Sequence, residues 1–376
     1  MLNKEISVVN ILFLITIIFW LFFRHPDAFD LSFSPIYLSI PPAVFVLISK
    51  VNLNDLLMYK FIGVFLLLIC GVLLSSIFNS NYIFESVVYI VDILAAALAF
   101  LTTYSFCRSK ENNTEILMKI LVISALIASI FLIYMTLMND NDYAVRMGAG
   151  GAKNSTAFNL VICLIFLEYL LKKYDYRLIF RVLFFIFQAL IVVAIIISGS
   201  RLAMAILVIL TAIGYLNKIG KLSVLLFLMA PFMYMLVTSG YFDLIFDRFS
   251  MDSLIHGLNA RIDLYLMGLA HFMNQEFFGY LFGSAYLAHD RSIQPHNDFI
   301  SILLYNGLFR FLILIFLVFI GLVRSIKLRG EYGYYFFAIY SVLLIKISYT
   351  SLAFKGVSLY VILGMMFGIN RLLKKQ

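Results

Sequence analysis

Charged residues are scarce in this chain of 376 amino acids. Asp, Glu, Lys and Arg together make up 13% of it, whereas 63% is hydrophobic and the mean hydropathy is +1.01. About a quarter of the residues of a soluble globular protein are charged, and a water-soluble fold of this length could not bury so much apolar surface. The composition therefore excludes a soluble enzyme or binding module and favours an integral membrane protein.

Cysteine is equally scarce. There are three cysteines in the chain. We expect Cys70 and Cys163 within membrane spans and Cys107 at a helix end. An odd, dispersed set offers neither a metal-ligand spacing nor a disulfide framework, so these are predicted to be packing residues. No metal motif of Asp or Glu is evident in the outer segments, and the sequence predicts neither a metal nor a cofactor.

The chain contains long apolar runs that carry little or no charge. Residues 60–78, 83–106, 116–138 and 298–323 are each long enough to cross a hydrocarbon core of about 30 Å as a helix. The first run ends in Phe-Phe-Arg-His without a small-residue cleavage site, so we interpret it as a retained anchor. Pro41 and Pro42 are expected to kink the second span. In all, we predict about twelve spans, near 7–23, 33–49, 60–78, 83–106, 116–138, 156–171, 179–198, 201–217, 221–238, 298–323, 333–350 and 353–371.

The basic residues give the spans an orientation. With both termini in the cytoplasm, most of the 28 Lys and Arg residues fall in cytoplasmic segments, as the positive-inside bias requires. The net charge of +8 is then an orientation signal. A nucleic-acid partner would need basic residues massed on one soluble surface, and they are not.

One loop is much larger than the others. The charge pattern places residues 239–297 outside, as a periplasmic loop between the ninth and tenth spans. YFDLIFDRF and NARIDLYLMGLAHFM within it mix apolar and polar residues at helical spacing, so we expect amphipathic helices on the membrane surface. The prediction is a single integral membrane domain over 1–376 that carries this loop.

Candidate site residues gather at the amino ends of helices on the predicted outer side. Four of the five histidines lie in the large loop. Of these, His296 directly precedes Asn297, a good N-cap for the following span. The positive end of a helix disfavours imidazolium, so we expect the His296 ring to stay neutral and able to accept a proton.

Two further helix starts carry basic residues. We expect Ser200 to cap the eighth span, with Arg201 in its first turn. A glycine-rich stretch between Arg146 and Lys153 approaches the sixth span, which Asn154 or Ser155 would cap. Backbone N–H groups, the positive helix end and a guanidinium together form an anion site.

Arg261 adds a fourth basic group, within the predicted loop helix. Asp263, two positions on, does not share its helix face, which leaves the Arg261 guanidinium available to another partner. The alternative for each outer arginine is snorkelling or contact with lipid headgroups.

Three charges fall inside spans, where each is costly unless compensated. These are Asp92, Arg310 and Lys346. A structural pair, such as Asp92 with either basic residue, is as good an interpretation as a catalytic one. Arg310 lies about 21 Å along its helix from His296, too far for both to share one small site.

Several strings resemble the O-antigen ligase/polymerase superfamily. They are IISGSRLAMAILVI, LNARIDLYLMGLAHFMNQEFFGYLFGSAY and PHNDFISILLYNGLF. The family motifs fall here on Arg201, Arg261, Gly279 with Gly283, His296 with Asn297, and Gly307. The stretch RMGAGGAKNSTA is similar to the family's Arg–glycine–Asn segment, on Arg146 and Asn154. Where the family often has proline before the first loop glycine, this chain has Phe278.

The resemblance implies a GT-C-like fold and metal-independent glycosyl transfer at the outer leaflet of the bacterial inner membrane. The implied partners are an undecaprenyl-pyrophosphate-linked oligosaccharide donor and acceptor, membrane lipids, and a chain-length regulator and flippase of the same pathway. Arg201 and Arg261, with Arg146, would hold the pyrophosphate. His296 would be the general base, and Asn297 would orient it or cap its helix.

Three functions stay open at this point. A repeat-unit polymerase passes its chain to another lipid-linked unit, whereas an O-antigen ligase passes it to the lipid A core. Both need the same anion site and base, so these residues do not separate them. The resemblance favours the polymerase, whose short chain and compact outer loop this sequence shares. A secondary transporter is the third, but such folds usually have two related halves, and no half-repeat is evident.

Overall fold

The computed structural model describes residues 8–22, 38–52, 54–78, 83–110, 112–138, 153–174, 178–215, 229–231, 234, 237, 250–283, 297–328, 331–349 and 357–372. Of these residues 93% are helical and none forms a strand, which confirms the predicted all-α class. Numbered along the chain, the helices are α1 (Val8–Leu21), α2 (Ile40–Lys50), α3 (Leu56–Phe78), α4 (Ile83–Ser109), α5 (Asn113–Met138), α6 (Lys153–Lys173), α7 (Leu178–Ile197), α8 (Arg201–Tyr215), α9 (Met251–Met273), α10 (Phe277–Phe282), α11 (Asp298–Lys327), α12 (Glu331–Tyr349) and α13 (Val357–Leu372).

Five helices of the described ranges are long and apolar enough to cross a membrane. Six shorter apolar helices, of 10–17 residues, accompany them. The chain is therefore a multi-pass helical membrane protein. The five long segments are Leu56–Leu74, Ile90–Ser109, Asn113–Thr136, Ser155–Lys173 and Phe299–Lys327.

The second predicted span differs from the structure at its start, as far as the described residues from 38 onward show. The helix α2 has 11 residues and begins at Ile40, whereas the sequence placed the span at 33–49. Pro41 and Pro42 thus lie in its first turn, and the prediction of a kink there is wrong. The first turn is where proline is tolerated, since N–H groups there have no intrahelical acceptor to lose.

The described chain divides into two compact units. The first comprises residues 1–42 and 115–254, and the second residues 43–114 and 255–376. The predicted single domain stays a prediction.

The first unit is built around α6. Every side chain from Thr156 to Leu167 is buried, and α6 packs against α7 and α8. A helix apolar on all sides is expected to be enclosed by others. Asn159 ties it to α1 by donating from Nδ2 to the carbonyl oxygen of Leu21, at 2.6 Å.

The second unit is built around the contact between α4 and α13, its most extensive helix pair. Gly364 and Gly368 lie one turn apart on the face of α13 that meets α4. A Cβ at Gly364 would lie 2.8 Å from the Phe100 carbonyl oxygen, and one at Gly368 would lie 2.7 Å from Cys107 Cβ. This is the small-xxx-small packing of membrane helices, in which missing side chains let two backbones approach closely.

Two of the charges inside predicted spans have described partners. Lys346 is fully buried and donates from Nζ to Ser358 Oγ at 2.9 Å, which links α12 to the start of α13. Arg310 donates to two main-chain carbonyls, as detailed below. These contacts give Arg310 and Lys346 a structural role, whereas the pairing of Asp92 with either of them stays a prediction.

Candidate functional site

The turn between α7 and α8 carries the first motif arginine. After α7 ends at Ile197, Gly199 has a positive φ of 59°, a conformation that glycine adopts without strain. Arg201 is then the first residue of α8, where the sequence predicted it, and its side chain is half-buried. The turn therefore sets a guanidinium-bearing residue at the positive end of a helix.

Ser200 occupies the cap position without its side chain capping the helix. Its carbonyl oxygen accepts the first helical bond, from Met204 N at 3.0 Å. Its Oγ is buried and has no hydrogen-bond partner among the described residues. The predicted side-chain cap is therefore wrong. The Ser200 N–H instead bonds to Ser198 Oγ at 3.3 Å, which ties the backbone into the preceding turn.

The helix α6 begins earlier than predicted. Its first residue is Lys153, so Asn154 and Ser155 lie in the first turn and the cap predicted for one of them is wrong. Polar residues are tolerated there because the first N–H groups of a helix lack intrahelical acceptors. The side chains of Lys153 and Asn154, and all of Arg146, lie outside the part of the chain that the structure describes.

The helix α9 confirms that NARIDLYLMGLAHFM is helical. From Ile255 onward it has three faces, which its helical period separates. The buried or half-buried face carries Arg261, Leu264, Tyr265, Gly268 and Phe272. The guanidinium nitrogen Nη1 of Arg261 is buried, so part of this guanidinium lies on the inward face of the helix.

The other two faces of α9 are exposed and differ in character. One is an apolar stripe, formed by Ile255, Ile262, Leu266, Leu269 and Met273. The other is polar and includes the exposed residues His256, Asn259 and Asp263. Asp263 is thus off the Arg261 face, as the sequence predicted. Apolar and polar exposed faces on one helix fit a position at a membrane–water interface.

The start of α11 confirms the predicted N-cap. The Oδ1 atom of Asn297 accepts hydrogen bonds from Phe299 N at 2.9 Å and from Ile300 N at 3.3 Å. Because these two N–H groups are occupied, they are not available to an anion, and the prediction of exposed N–H donors is wrong at this end. The helix dipole remains. His296 lies outside the described residues.

The structure adds a contact that the sequence did not predict. The helix α11 is broken at Gly307, whose φ of 71° and ψ of 174° are not helical. At this break it meets the end of α10 at Gly283, where φ is 87°. A Cβ on Gly283 would overlap the main chain of Tyr305 and Asn306, and one on Gly307 would overlap that of Leu281 and Gly283. Of the three motif glycines, Gly283 and Gly307 are therefore explained by two main chains in contact.

Arg310 completes this contact. It is 4% exposed, and it donates from Nη2 to the Phe282 carbonyl oxygen at 2.9 Å and from Nε to that of Asn306 at 3.0 Å. From the side of α3, Gly71 leaves room for it, since a Cβ there would lie 3.1 Å from Arg310 Cγ. The sequence feature that could have indicated this role is a basic residue inside a span, three positions after the motif glycine Gly307.

The motif residues fall in both units. Ser200 and Arg201 belong to the first, whereas Arg261, Gly283, Asn297 and Gly307 belong to the second. The second unit brings the two glycines together. The convergence of Arg201, Arg261 and His296 stays a prediction.

Comparison with known proteins leaves the family open. No model of a protein family matches the chain, and no curated protein matches it either. The family resemblance is carried by the motifs and their order along the chain.

Proposed function

We propose that the chain is a membrane glycosyltransferase that polymerises undecaprenyl-pyrophosphate-linked oligosaccharide repeat units at the outer leaflet of the bacterial inner membrane. In this proposal the fold is GT-C-like with about twelve spans, both termini are cytoplasmic, and residues 239–297 face the periplasm. The observation that carries the proposal is the position of Arg201 as the first residue of α8, directly after a glycine turn.

The chemistry follows from the charge of the donor. Its pyrophosphate is esterified by the lipid and by the sugar, so it is a dianion at the interface, and it gains a further negative charge when the C1–O bond of the sugar breaks and it leaves. Arg201 and Arg261, with Arg146, hold the pyrophosphate and stabilise the charge that it gains. His296 removes the proton from the acceptor hydroxyl, whose oxygen forms the new bond to C1. The products are the lengthened lipid-linked glycan and undecaprenyl pyrophosphate.

Two described features support these roles. The inward face of α9 holds the Arg261 nitrogen Nη1 away from water, where an ionic contact is stronger than at an exposed surface. The cap by Asn297 orders the first turn of α11, the helix start that the proposed base precedes in the sequence. Lys153, Asn154 and Ser200 complete the proposed glycan and pyrophosphate subsite.

The test is complementation of a strain that lacks the gene. Arg201→Ala, Arg261→Ala and His296→Ala should each abolish polymer while the protein remains in the membrane. Arg181→Ala is the matched control, because Arg181 is an exposed arginine on the predicted cytoplasmic side. Polymer of normal length in all three site variants would refute the proposed site.

The same strain separates polymerase from ligase. A lipopolysaccharide core bearing a single repeat unit indicates a lost polymerase. A bare core, with polymer left on its carrier lipid, indicates a lost ligase and would contradict the polymerase proposal. A transporter would be indicated instead by superposable halves, residues 1–178 on residues 179–376.

A further inference from the structure

We infer that Arg310 is a positioning residue: with the Gly283–Gly307 main-chain contact, it fixes α10 against the first third of α11, and the end of α9 is joined to them through Phe272 and Gln275. It thereby sets where Arg261 lies relative to the helix start at Asn297. We call Arg310 together with the Gly283–Gly307 contact the clamp. The relevance of the Arg261–Asn297 spacing to catalysis rests on the proposed function, whereas the existence of the clamp does not.

The break at Gly307 creates a need for hydrogen-bond donors. The carbonyl groups of the preceding turn lose their helical N–H partners, and in a membrane such groups must be satisfied within the protein. Two side chains supply donors. Arg310 Nε bonds to the Asn306 oxygen at 3.0 Å, and Gln275 Nε2, from the α9–α10 connection, bonds to the Leu304 oxygen at 3.2 Å.

Arg310 also reaches the second helix. Its Nη2 bonds to the Phe282 oxygen at the carboxyl end of α10, where the helix dipole favours a cation. A guanidinium offers several donors in a rigid planar fork, so one side chain spans carbonyls of two different helices. The single nitrogen of lysine cannot reproduce that geometry. Because Arg310 is buried, water does not compete for these bonds.

Apolar packing makes the same corner rigid. Phe272, near the end of α9, forms a buried cluster with Leu304 and Tyr305 of α11. Its ring lies 4.5 Å, centroid to centroid, from that of Tyr280 in α10. The carboxyl end of α9, the second half of α10 and the first third of α11 therefore meet as one packed corner.

Two arms extend from this corner. From Phe272, α9 runs back to Arg261 over about 16 Å, and from Leu304, α11 runs back to Asn297 over about 10 Å. A rotation of about 10° at the corner would move the Arg261 end by about 3 Å. A misplacement of about 1 Å costs a catalytic site up to about 100-fold in rate. A small rotation at the clamp would therefore displace Arg261 far enough to lower the rate of catalysis.

The experiment measures the geometry of the two arms directly. Spin labels are placed at Asn259→Cys and Ile300→Cys in full-length protein in lipid nanodiscs, with the exposed Cys70 changed to Ala. Arg310→Met and Arg310→Lys should each broaden the distance distribution at least about twofold, since neither keeps the fork. Lys327→Met is the control, an exposed basic residue at the far end of α11, and should leave the width unchanged.

A milder variant covers the case in which Arg310 variants fail to fold. Gln275→Leu removes only the bond to the Leu304 oxygen and should broaden the distribution less; Asn274→Leu is its exposed neighbour and control. Wild-type width in Gln275→Leu and in every folded Arg310 variant overturns the inference, whatever the activity. A broadened Arg310→Met together with wild-type polymer from Arg261→Ala would instead overturn the proposed function and leave the clamp standing.

Discussion

Asp55 and Arg108 form an ion pair that joins the residue before α3 to the last turn of α4. Tyr104 bridges them, since its hydroxyl donates to Asp55 Oδ2 at 2.5 Å and accepts from Arg108 Nη1 at 2.6 Å. The other carboxylate oxygen accepts from Leu57 N at 3.1 Å, which caps α3. One buried carboxylate thus holds two helix ends on the predicted cytoplasmic side.

Loss of this carboxylate should destabilise the protein strongly. We expect Asp55→Ala to lower the free energy of unfolding by about 3–5 kcal/mol, because it leaves the Arg108 charge without its acid. Tyr104→Phe should cost about 1 kcal/mol, the loss of ordinary hydrogen bonds. Unfolding monitored by intrinsic fluorescence in detergent measures both. The double variant Asp55→Ala/Arg108→Ala should be less damaged than the sum of the single variants; strict additivity would contradict the pairing.

The glycine pair of α13 makes a separate stability prediction. Gly364→Ala and Gly368→Ala should each lower the melting temperature, because the new Cβ would press on the backbone of α4 or on Cys107. Gly63→Ala is the matched control: nothing lies within 4 Å of its Cβ position, and alanine favours a helix by about 1 kcal/mol. Equal effects at all three glycines would show that close packing of α4 and α13 is not the cause.

The two faces of α9 predict opposite results for neighbouring charges. Arg261→Lys should abolish polymer, because an ammonium does not reproduce the planar fork that suits a phosphate. Asp263→Asn should leave polymer length unchanged, since Asp263 lies on the exposed polar face. Gel analysis of surface polysaccharide measures polymer formation and polymer length in both variants. If Arg261→Lys were active and Asp263→Asn inactive, the inward assignment of Arg261 would be in error.

The apolar stripe of α9 should lie in lipid. An environment-sensitive fluorophore on Leu266→Cys, in the Cys70→Ala background, should emit at shorter wavelength than one on Asp263→Cys. It should also be quenched by lipids that carry a quencher in the acyl chain. The physical reason is that an amphipathic helix buries its apolar face about 5–10 Å into the interface. Identical emission and quenching at both positions would count against an interfacial helix.

The predicted sidedness has its own test. In intact spheroplasts, a membrane-impermeant maleimide should label Asn259→Cys in the large loop but not Lys110→Cys, both exposed positions. Lys110→Cys should react only after permeabilisation, because basic residues mark the cytoplasmic side. Labelling of Lys110→Cys alone in intact spheroplasts would show the opposite topology and would contradict a periplasmic active site.

Much of the fold was predictable because hydropathy directly reports membrane helices. The span predicted at 83–106 corresponds to α4, and that at 116–138 to α5. The cap by Asn297 was also predictable, since the preference of asparagine for that position is local. The start of α2 was missed because a hydrophobic run near Pro41 does not reveal where the first helical hydrogen bond forms.

The contacts around the break in α11 at Gly307 were not predictable in this way. A glycine inside an apolar run, like Gly307, usually continues a membrane helix, and only the proximity of Gly283 shows that the helix breaks there. Likewise, the position of Arg310 inside a predicted span indicated a charge that needs hydrogen-bond partners. The sequence could not identify those partners, because they are main-chain carbonyl groups, which every residue carries. Local sequence propensity determines where helices form. The contact between Gly283 and Gly307 depends on two segments that meet only in the folded protein.

The crossing of main chains at Gly283 and Gly307 also constrains how this protein can evolve. Neither position tolerates a side chain while the other backbone is in place, and each has a positive φ that belongs to this crossing, so a chain that loses the crossing loses the selective reason for both glycines. Homologous chains should therefore carry glycine at both positions or at neither, and the pair should behave in an alignment as a single inherited character.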